Sequence, residues 1–351
     1  MNKAFDSTDH KKLMKAFIKD DIKGFTDLAK SDIDINSLNK WGETVISYII
    51  KVHYTFSTTR EFFNILLKNG ASLKQIGLEE GLLSIVINNH QETYYLEELL
   101  KNNININDFG IWREVPEDEN NFYNSAILTA IENCNNNFIN LLLKYKPDLD
   151  IETHKGETIL NHLITCYCEK GKHKELFPIF KKLLKYGADP DVIGCLGLRA
   201  IHHLALANCD ISLFKILIKY NIDINAKNLH GDTALKITAR HNKHELSRFL
   251  IKNGADMEIT DLDGDSIIML SVICRKFETF ELLYNSGANL TRIGANNNNI
   301  LHLLAESSKT CHLDTNDIKF NQYYKKISKL HPQLLDMKNT NGQTPFDIYE
   351  C

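Results

Sequence analysis

The side chains of this chain that could do chemistry are few and scattered. Of eight cysteines, Cys134, Cys195, Cys209, Cys274, Cys311 and Cys351 stand singly, and Cys166-Tyr-Cys168 is the one close pair. Structural zinc is held by two Cys/His pairs at short spacing, and two such pairs do not occur. His162 and Cys166 lie four residues apart, so a helix puts them on one face, where they could hold a metal. The remaining ligands are not supplied elsewhere, and ordinary buried side chains are the competing reading. No Gly-x-Gly-x-x-Gly, Walker glycine-lysine loop, Gly-x-Ser-x-Gly or His-Glu-x-x-His occurs. The sequence therefore predicts no catalytic residue, no cofactor and no metal.

Positioning any of these side chains falls to an internal repeat. Gly197-Leu-Arg-Ala-Ile-His-His-Leu-Ala205, Gly231-Asp-Thr-Ala-Leu-Lys-Ile-Thr-Ala239 and Gly264-Asp-Ser-Ile-Ile-Met-Leu-Ser-Val272 open three successive units, their glycines 34 and 33 residues apart. Each leads to a second apolar run, Leu213–Ile218, Leu246–Ile251 or Phe280–Tyr284, and then to a turn such as Asn253-Gly-Ala-Asp256. The opening glycine turns the backbone without a Cβ clash, and the hydroxyl of Thr233 or Ser266 is placed to cap the helix that follows. Gly254-Ala255 and Gly287-Ala288 end the second helix with a residue that tolerates the left-handed conformation. One such pair cannot bury its own apolar face, so neighbours must stack. A turn and two helices repeating every 33 residues or so predict an all-α solenoid.

The same spacing extends in both directions. Leu13, Met14, Phe17 and Ile18, then Phe25, Leu28 and Ala29, predict a helix pair between Lys11 and Ile35 without the Gly-x-Thr opening. Residues 1–38 are thus read as an N-terminal cap and residues 39–351 as an array of about eight further units, the last one partial. Units open at Trp41-Gly-Glu-Thr44, Leu82–Ile87, Ser125–Ala130 and Lys155-Gly-Glu-Thr158, and Phe109–Asn120 reads as an extended hairpin loop. After the three regular units, Asn299–Ala305 opens without Gly-x-Thr, an insertion from Glu306 to Ile318 delays the second helix to Tyr323–Leu330, and Gly342-Gln-Thr-Pro-Phe346 begins the last unit.

The chain resembles the ankyrin-repeat family over essentially its whole length, in the divergent manner of effector or host-interaction ankyrin proteins of intracellular bacteria or large DNA viruses. Gly231-Asp-Thr-Ala-Leu235, Gly342-Gln-Thr-Pro-Phe346, Ile201-His-His-Leu-Ala205 and Leu301-His-Leu-Leu-Ala305 carry the resemblance, although no unit has the complete Thr-Pro-Leu-His. It implies helix-turn-helix units joined by β-hairpin loops, with His202 and His302 in hydrogen bonds between adjacent repeats. It also implies a concave groove, lined by hairpin tips and inner helices, that binds another protein. On this chain the tip positions include Trp41, Phe122, Lys155, Leu196, Leu229, His230 and Leu262, and the inner-helix positions include Arg240 and His241. Trp41, Phe122 and Arg240 are the first candidates for contact, because aromatic and arginine anchors dominate interface energetics; packing on neighbouring hairpins is the competing reading. Leu217 eight residues before Asn225, and Leu28 before Asn36, resemble the pattern used by the factor-inhibiting asparaginyl hydroxylase. Asn225 and Asn36 are therefore candidate hydroxylation sites, against a structural role for hairpin asparagines.

Composition narrows the partners. A formal charge of -4, with 43% hydrophobic and 25% charged residues, describes a folded protein without a basic stripe, which disfavours nucleic acid. No stretch approaches the roughly 18 apolar residues of a membrane span, and the amino terminus lacks a signal-peptide core. The expectation is a monomeric cytoplasmic protein, in host cytoplasm or nucleus for a pathogen. The leading function is a non-enzymatic scaffold or adaptor that grips another protein, such as a host signalling or regulatory protein. The alternative is the targeting module of a longer enzyme whose catalytic domain lies beyond residue 351.

Overall fold

A computed structural model describes residues 7–51, 58–73, 81–89, 92–107, 125–153, 156–169, 173–207, 211–308 and 315–350. Among them the regular structure is helical; the hairpin loops contain no named strand, and Thr260 and Ser266 form an isolated antiparallel bridge. In chain order the helices are α1 (Thr8–Ile18), α2 (Ile22–Ala29), α3 (Val45–Lys51), α4 (Thr59–Lys68), α5 (Leu82–Asn89), α6 (Tyr94–Lys101), α7 (Ala126–Glu132) and α8 (Asn136–Lys144). They continue as α9 (Ile159–Glu169), α10 (His173–Lys185), α11 (Ala200–Leu206), α12 (Ile211–Leu217), α13 (Ala234–Arg240) and α14 (His244–Lys252). The last are α15 (Ile267–Ile273), α16 (Phe277–Asn285), α17 (Ile300–Ser307), α18 (Thr315–Leu330) and α19 (Pro345–Glu350).

The chain forms two compact units, one of residues 1–154 with 174–187 and one of residues 155–173 with 188–351. In the first unit α1 packs on α2 and α3, α2 on α4, and α3, α5 and α7 form a row. In the second, α9, α11, α13, α15, α17 and α19 form a row of first helices, and α14, α16 and α18 a row of second helices. First helices are short and buried almost all round: Ala126–Ile131, Ala234–Ala239 and Ile267–Val272 are all buried. α13 and α15 are each covered by their own second helix and by neighbours on both sides, which is why their sequences show runs of small and aliphatic residues. Second helices bury one stripe only, as α14 does with Leu246, Ser247 and Leu250.

Aromatic rings fill the space between rows. Phe62 meets Phe17 and Phe25 edge-on at 5.2 and 4.9 Å between centroids, and all three are fully buried. Truncating any of them to alanine costs about 3–5 kcal/mol.

The threonine caps form at the helix starts where the sequence places them. Thr233 Oγ1 accepts from Lys236 N at 3.3 Å, Thr158 Oγ1 from Asn161 N at 3.3 Å, and Thr344 and Asp347 cap reciprocally. Ser266 occupies the same place on α15, but its hydroxyl makes no cap bond and is buried without a partner. Gly254 and Gly287 end α14 and α16 at φ 92° and 86°, as their sequence predicts, while Asn103, Lys146 and Asn221 take up the left-handed turn after other second helices. The helix expected at Tyr323–Leu330 begins earlier, at Thr315. Asp317 in its first turn is wholly buried against the Arg275 guanidinium, and Phe320 packs on Phe277 and Phe280, so part of the insertion is drawn into the helix by contacts that its own sequence does not reveal.

Candidate functional site

The loop tips are built by single polar side chains. Asn228 Oδ1 accepts from His230 N and Asp232 N, both at 2.9 Å; Asp261 Oδ1 accepts from Asp263 N and Asp265 N at 3.0 and 2.9 Å. Asn339 in the second unit and Asn39 in the first repeat the arrangement. An Asx side chain that satisfies its own turn fixes the loop without requiring the crest residues to be buried. Leu229 is accordingly 75% exposed and Leu262 86%. Leu196, in a turn of different make with φ 58°, is 53% exposed.

These three leucines come from consecutive repeats of the second unit and are brought together. Leu229 N–H donates to Leu196 O at 3.1 Å, and a Cβ on Gly197 would stand 2.9 Å from Leu229 Cγ. A Cβ on Gly231 would stand 3.8 Å from Leu262 Cδ2. Leu229 and Leu262 thus lean over the glycines of the preceding tips, so the three exposed leucines follow one another along consecutive tips. His230 is exposed beside Leu229.

Just before α13, Asp232 binds Lys236 Nζ at 2.5 Å and Arg240 NH1 at 3.2 Å, so Arg240 is tethered at one end while its side chain stays 42% exposed. His241, at the C-terminal cap of α13, is exposed. Leu206 on α11 and Ile273 on α15, at the matching repeat position, are also exposed. In the first unit Trp41 is 64% exposed, with Lys40 Nζ 4.1 Å from its ring centroid. Phe122 and Lys155 lie outside the described residues, as does the Phe109–Asn120 loop.

Asn225 and Asn36 are both engaged. Asn225 Oδ1 accepts from Asp256 N at 2.9 Å, and Asn36 Oδ1 from Ser72 N at 2.6 Å. Asp191 and Glu258 do the same for Asp223 N and Asn289 N, so the position after each loop ties it to the next. The histidines also link repeats. His202 Nδ1 accepts from Arg199 N at 3.1 Å and its Nε2–H donates to Ala226 O at 2.9 Å; His302 bonds Asn299 N and Gln343 O in the same way. Facing an N–H at one nitrogen and a carbonyl at the other requires the neutral ring. Burial pushes both imidazoles below the ordinary histidine range, against the pull of those carbonyls.

Two features were not legible in the sequence. Lys243 reaches back to the end of α11, where its Nζ donates to Ala205 O, Leu206 O and Ala207 O at 2.9, 2.7 and 2.7 Å. Burial lowers its pKa. Glu157 joins His162 and Cys166: His162 Nδ1 stands 3.3 Å from Glu157 Oε2, and its Nε2 3.6 Å from Cys166 Sγ. Among the described residues no group of three or more His, Cys, Asp or Glu side chains is arranged to hold a metal, and no helix is long and apolar enough to cross a membrane.

Comparison with known proteins agrees with this geometry. Residues 168–261 match the family described as ankyrin repeats, in three copies. An ankyrin repeat protein of Acanthamoeba polyphaga mimivirus is 25% identical over 212 residues, 58% of this chain. The chain spans about a quarter of the length of that curated relative, 25%. Among solved structures, the ankyrin repeat domain of Bcl-3, a member of the IkappaB family, aligns with a TM-score of 0.53 at 20% identity, over 64% of this chain and 93% of that one. With glycine-opened first helices stacked in rows and histidines bonded across repeats, the chain carries ankyrin repeats at residues 168–261 and has the fold of an ankyrin-repeat domain.

Proposed function

We propose that the chain is a non-enzymatic scaffold that binds another protein through the tips and first helices of its second unit. The observation that carries this reading is the row of Leu196, Leu229 and Leu262, exposed at 53%, 75% and 86% at consecutive tips. Large apolar side chains held side by side in water gain about 1.5–3 kcal/mol each when a partner covers them. Arg240, held at Asp232 beside the Leu229 tip, and His241, at the far end of α13, add hydrogen-bond donors, which confer orientation more than affinity. Trp41 is a further anchor on the first unit, and Phe122 and Lys155 belong to the proposed contact set by their repeat position.

The mimivirus relative supports a partner from a host cell, a signalling or regulatory protein in its cytoplasm or nucleus. It supports equally the reading of this chain as the interaction module of a longer protein, since it covers only 25% of that relative.

Affinity purification followed by mass spectrometry tests the proposal, with the wild type beside a Leu229→Asp/Leu262→Asp variant and a Trp41→Ala variant. The double variant is expected to lose its specific partners while folding normally. Recovery of the same partners in equal amounts by wild type and double variant refutes the placement of the surface.

A further inference from the structure

Glu157, His162 and Cys166 form a line at the start of the second unit. Glu157 stands just before α9, and His162 and Cys166 lie one turn apart on it. The Glu157 carboxylate, as an acceptor, draws the His162 proton to Nδ1 at 3.3 Å. That leaves Nε2 with its lone pair facing the Cys166 thiol at 3.6 Å. A base within reach of a thiol, itself oriented by a third group, is the arrangement that activates a sulfur nucleophile. Nothing in stacking the repeat calls for it, because the positions of His162 and Cys166 are filled by Ile237 and His241 in the repeat opened by Gly231.

We propose that Cys166 is a reactive thiol, activated by His162 and held in register by Glu157, that adds to small soft electrophiles of the α,β-unsaturated carbonyl class. In the addition the Sγ–H proton passes to His162 Nε2 while Sγ bonds the β-carbon of the acceptor. The C=C electron pair becomes an enolate, which takes the proton back from His162 at its α-carbon. The net change is addition of S–H across the double bond; nothing is oxidised or reduced and no group leaves.

Cys166 is 4% exposed, whereas the His162 and Glu157 side chains are 17% and 19% exposed, so under the proposal a reagent must be small and must reach the sulfur past its polar neighbours. From α11, the helix packed on α9, the titratable group that feels Glu157 is His203. Burial depresses its protonation, and it stands beside His202, which in turn feels Arg199.

The test is alkylation of the full-length protein with limiting N-ethylmaleimide at pH 6.0 and 8.0, resolved by peptide mass spectrometry. The exposed Cys195 serves as internal comparator. An ordinary thiol of pKa about 8.5 speeds up roughly 75-fold between those pH values, because only the thiolate reacts. Cys166 is expected to change less than tenfold. His162→Gln is expected to restore the steep dependence and to slow the reaction at pH 6.0 at least tenfold, and Glu157→Gln to fall between. Circular dichroism checks folding; should His162→Gln not fold, the wild-type profile and Glu157→Gln decide alone. The proposal is overturned if Cys166 stays unlabelled while Cys195 reacts, if its rate climbs as steeply as an ordinary thiol's, or if folded variants match the wild type.

Discussion

Replacing His202 with alanine tests the bond that most directly joins two repeats. His202 is wholly buried, and its loss strands the Arg199 N–H and the Ala226 carbonyl in the interior and opens a cavity. An unsatisfied buried group costs about 1–3 kcal/mol, and the cavity adds to it, so about 3–5 kcal/mol is expected near pH 7.5. The pH dependence separates the histidine from a generic packing loss. Burial depresses His202, His203 and His302 below the ordinary value of about 6.5 that they regain on unfolding. Below that pH the unfolded chain binds protons that the folded chain refuses, so stability present above about pH 6.5 is lost as the pH falls, by up to about 1.4 kcal/mol per pH unit for each histidine. The variant lacks one of the three. The gap between wild type and variant should therefore narrow below pH 6.5. Urea unfolding followed by circular dichroism at pH 7.5, 6.0 and 5.0 measures it. A gap that is constant across these pH values, or a loss below about 1 kcal/mol at pH 7.5, refutes the reasoning.

Other perturbations follow from single contacts and are read from urea midpoints. Lys243→Met removes three charge-assisted bonds to the end of α11; water reaches part of that terminus, so the expected loss is about 2–3 kcal/mol, well short of the sum. Asp232→Ala leaves the buried Lys236 ammonium unpaired and costs about 3–5 kcal/mol, while Asp232→Leu with Lys236→Met recovers most of it. Lys146→Gly relieves a left-handed residue at φ 53° after α8 and stabilises by about 1 kcal/mol, less the chain entropy of glycine. Asn225→Ala, which frees Asp256 N, costs about 1 kcal/mol, whereas Leu229→Asp stays within about 0.5 kcal/mol of wild type.

The repeat was legible because it is written in local signals. Glycine openings, threonine caps and Gly-Ala endings state where each helix starts and stops, and Gly231-Asp-Thr233 folds as its spacing implies. The exposed leucines were legible too, as apolar residues at a turn. The lie of Leu229 and Leu262 over the preceding glycines was not, for it depends on how one tip sits on the next, and neither was the extent of α18, which is set by Arg275 and Phe277 some 40 residues earlier. Lys243 reads as a solvated charge in sequence, since its three acceptors belong to the preceding repeat. Glu157 was missed because it lies outside the helix on which His162 and Cys166 were paired.

The way the loops are held explains why a divergent array can vary its tips. The loops at Asn39, Asn228, Asp261 and Asn339 are each closed by an Asx side chain of their own, and in the second unit Asp191, Asn225 and Glu258 tie one loop to the backbone of the next. Asp, Asn and Glu serve interchangeably there because only an oxygen within reach of the next N–H is required. With the backbone secured by polar atoms, the crest residues contribute little packing, as the 75% and 86% exposure of Leu229 and Leu262 attests. Burial of a leucine is then withheld from folding and remains available to a partner. Stability resides in the buried first helices and the polar ties between loops; under the proposed function recognition resides at the crests, and substitution at one is then expected to leave the other largely unaltered.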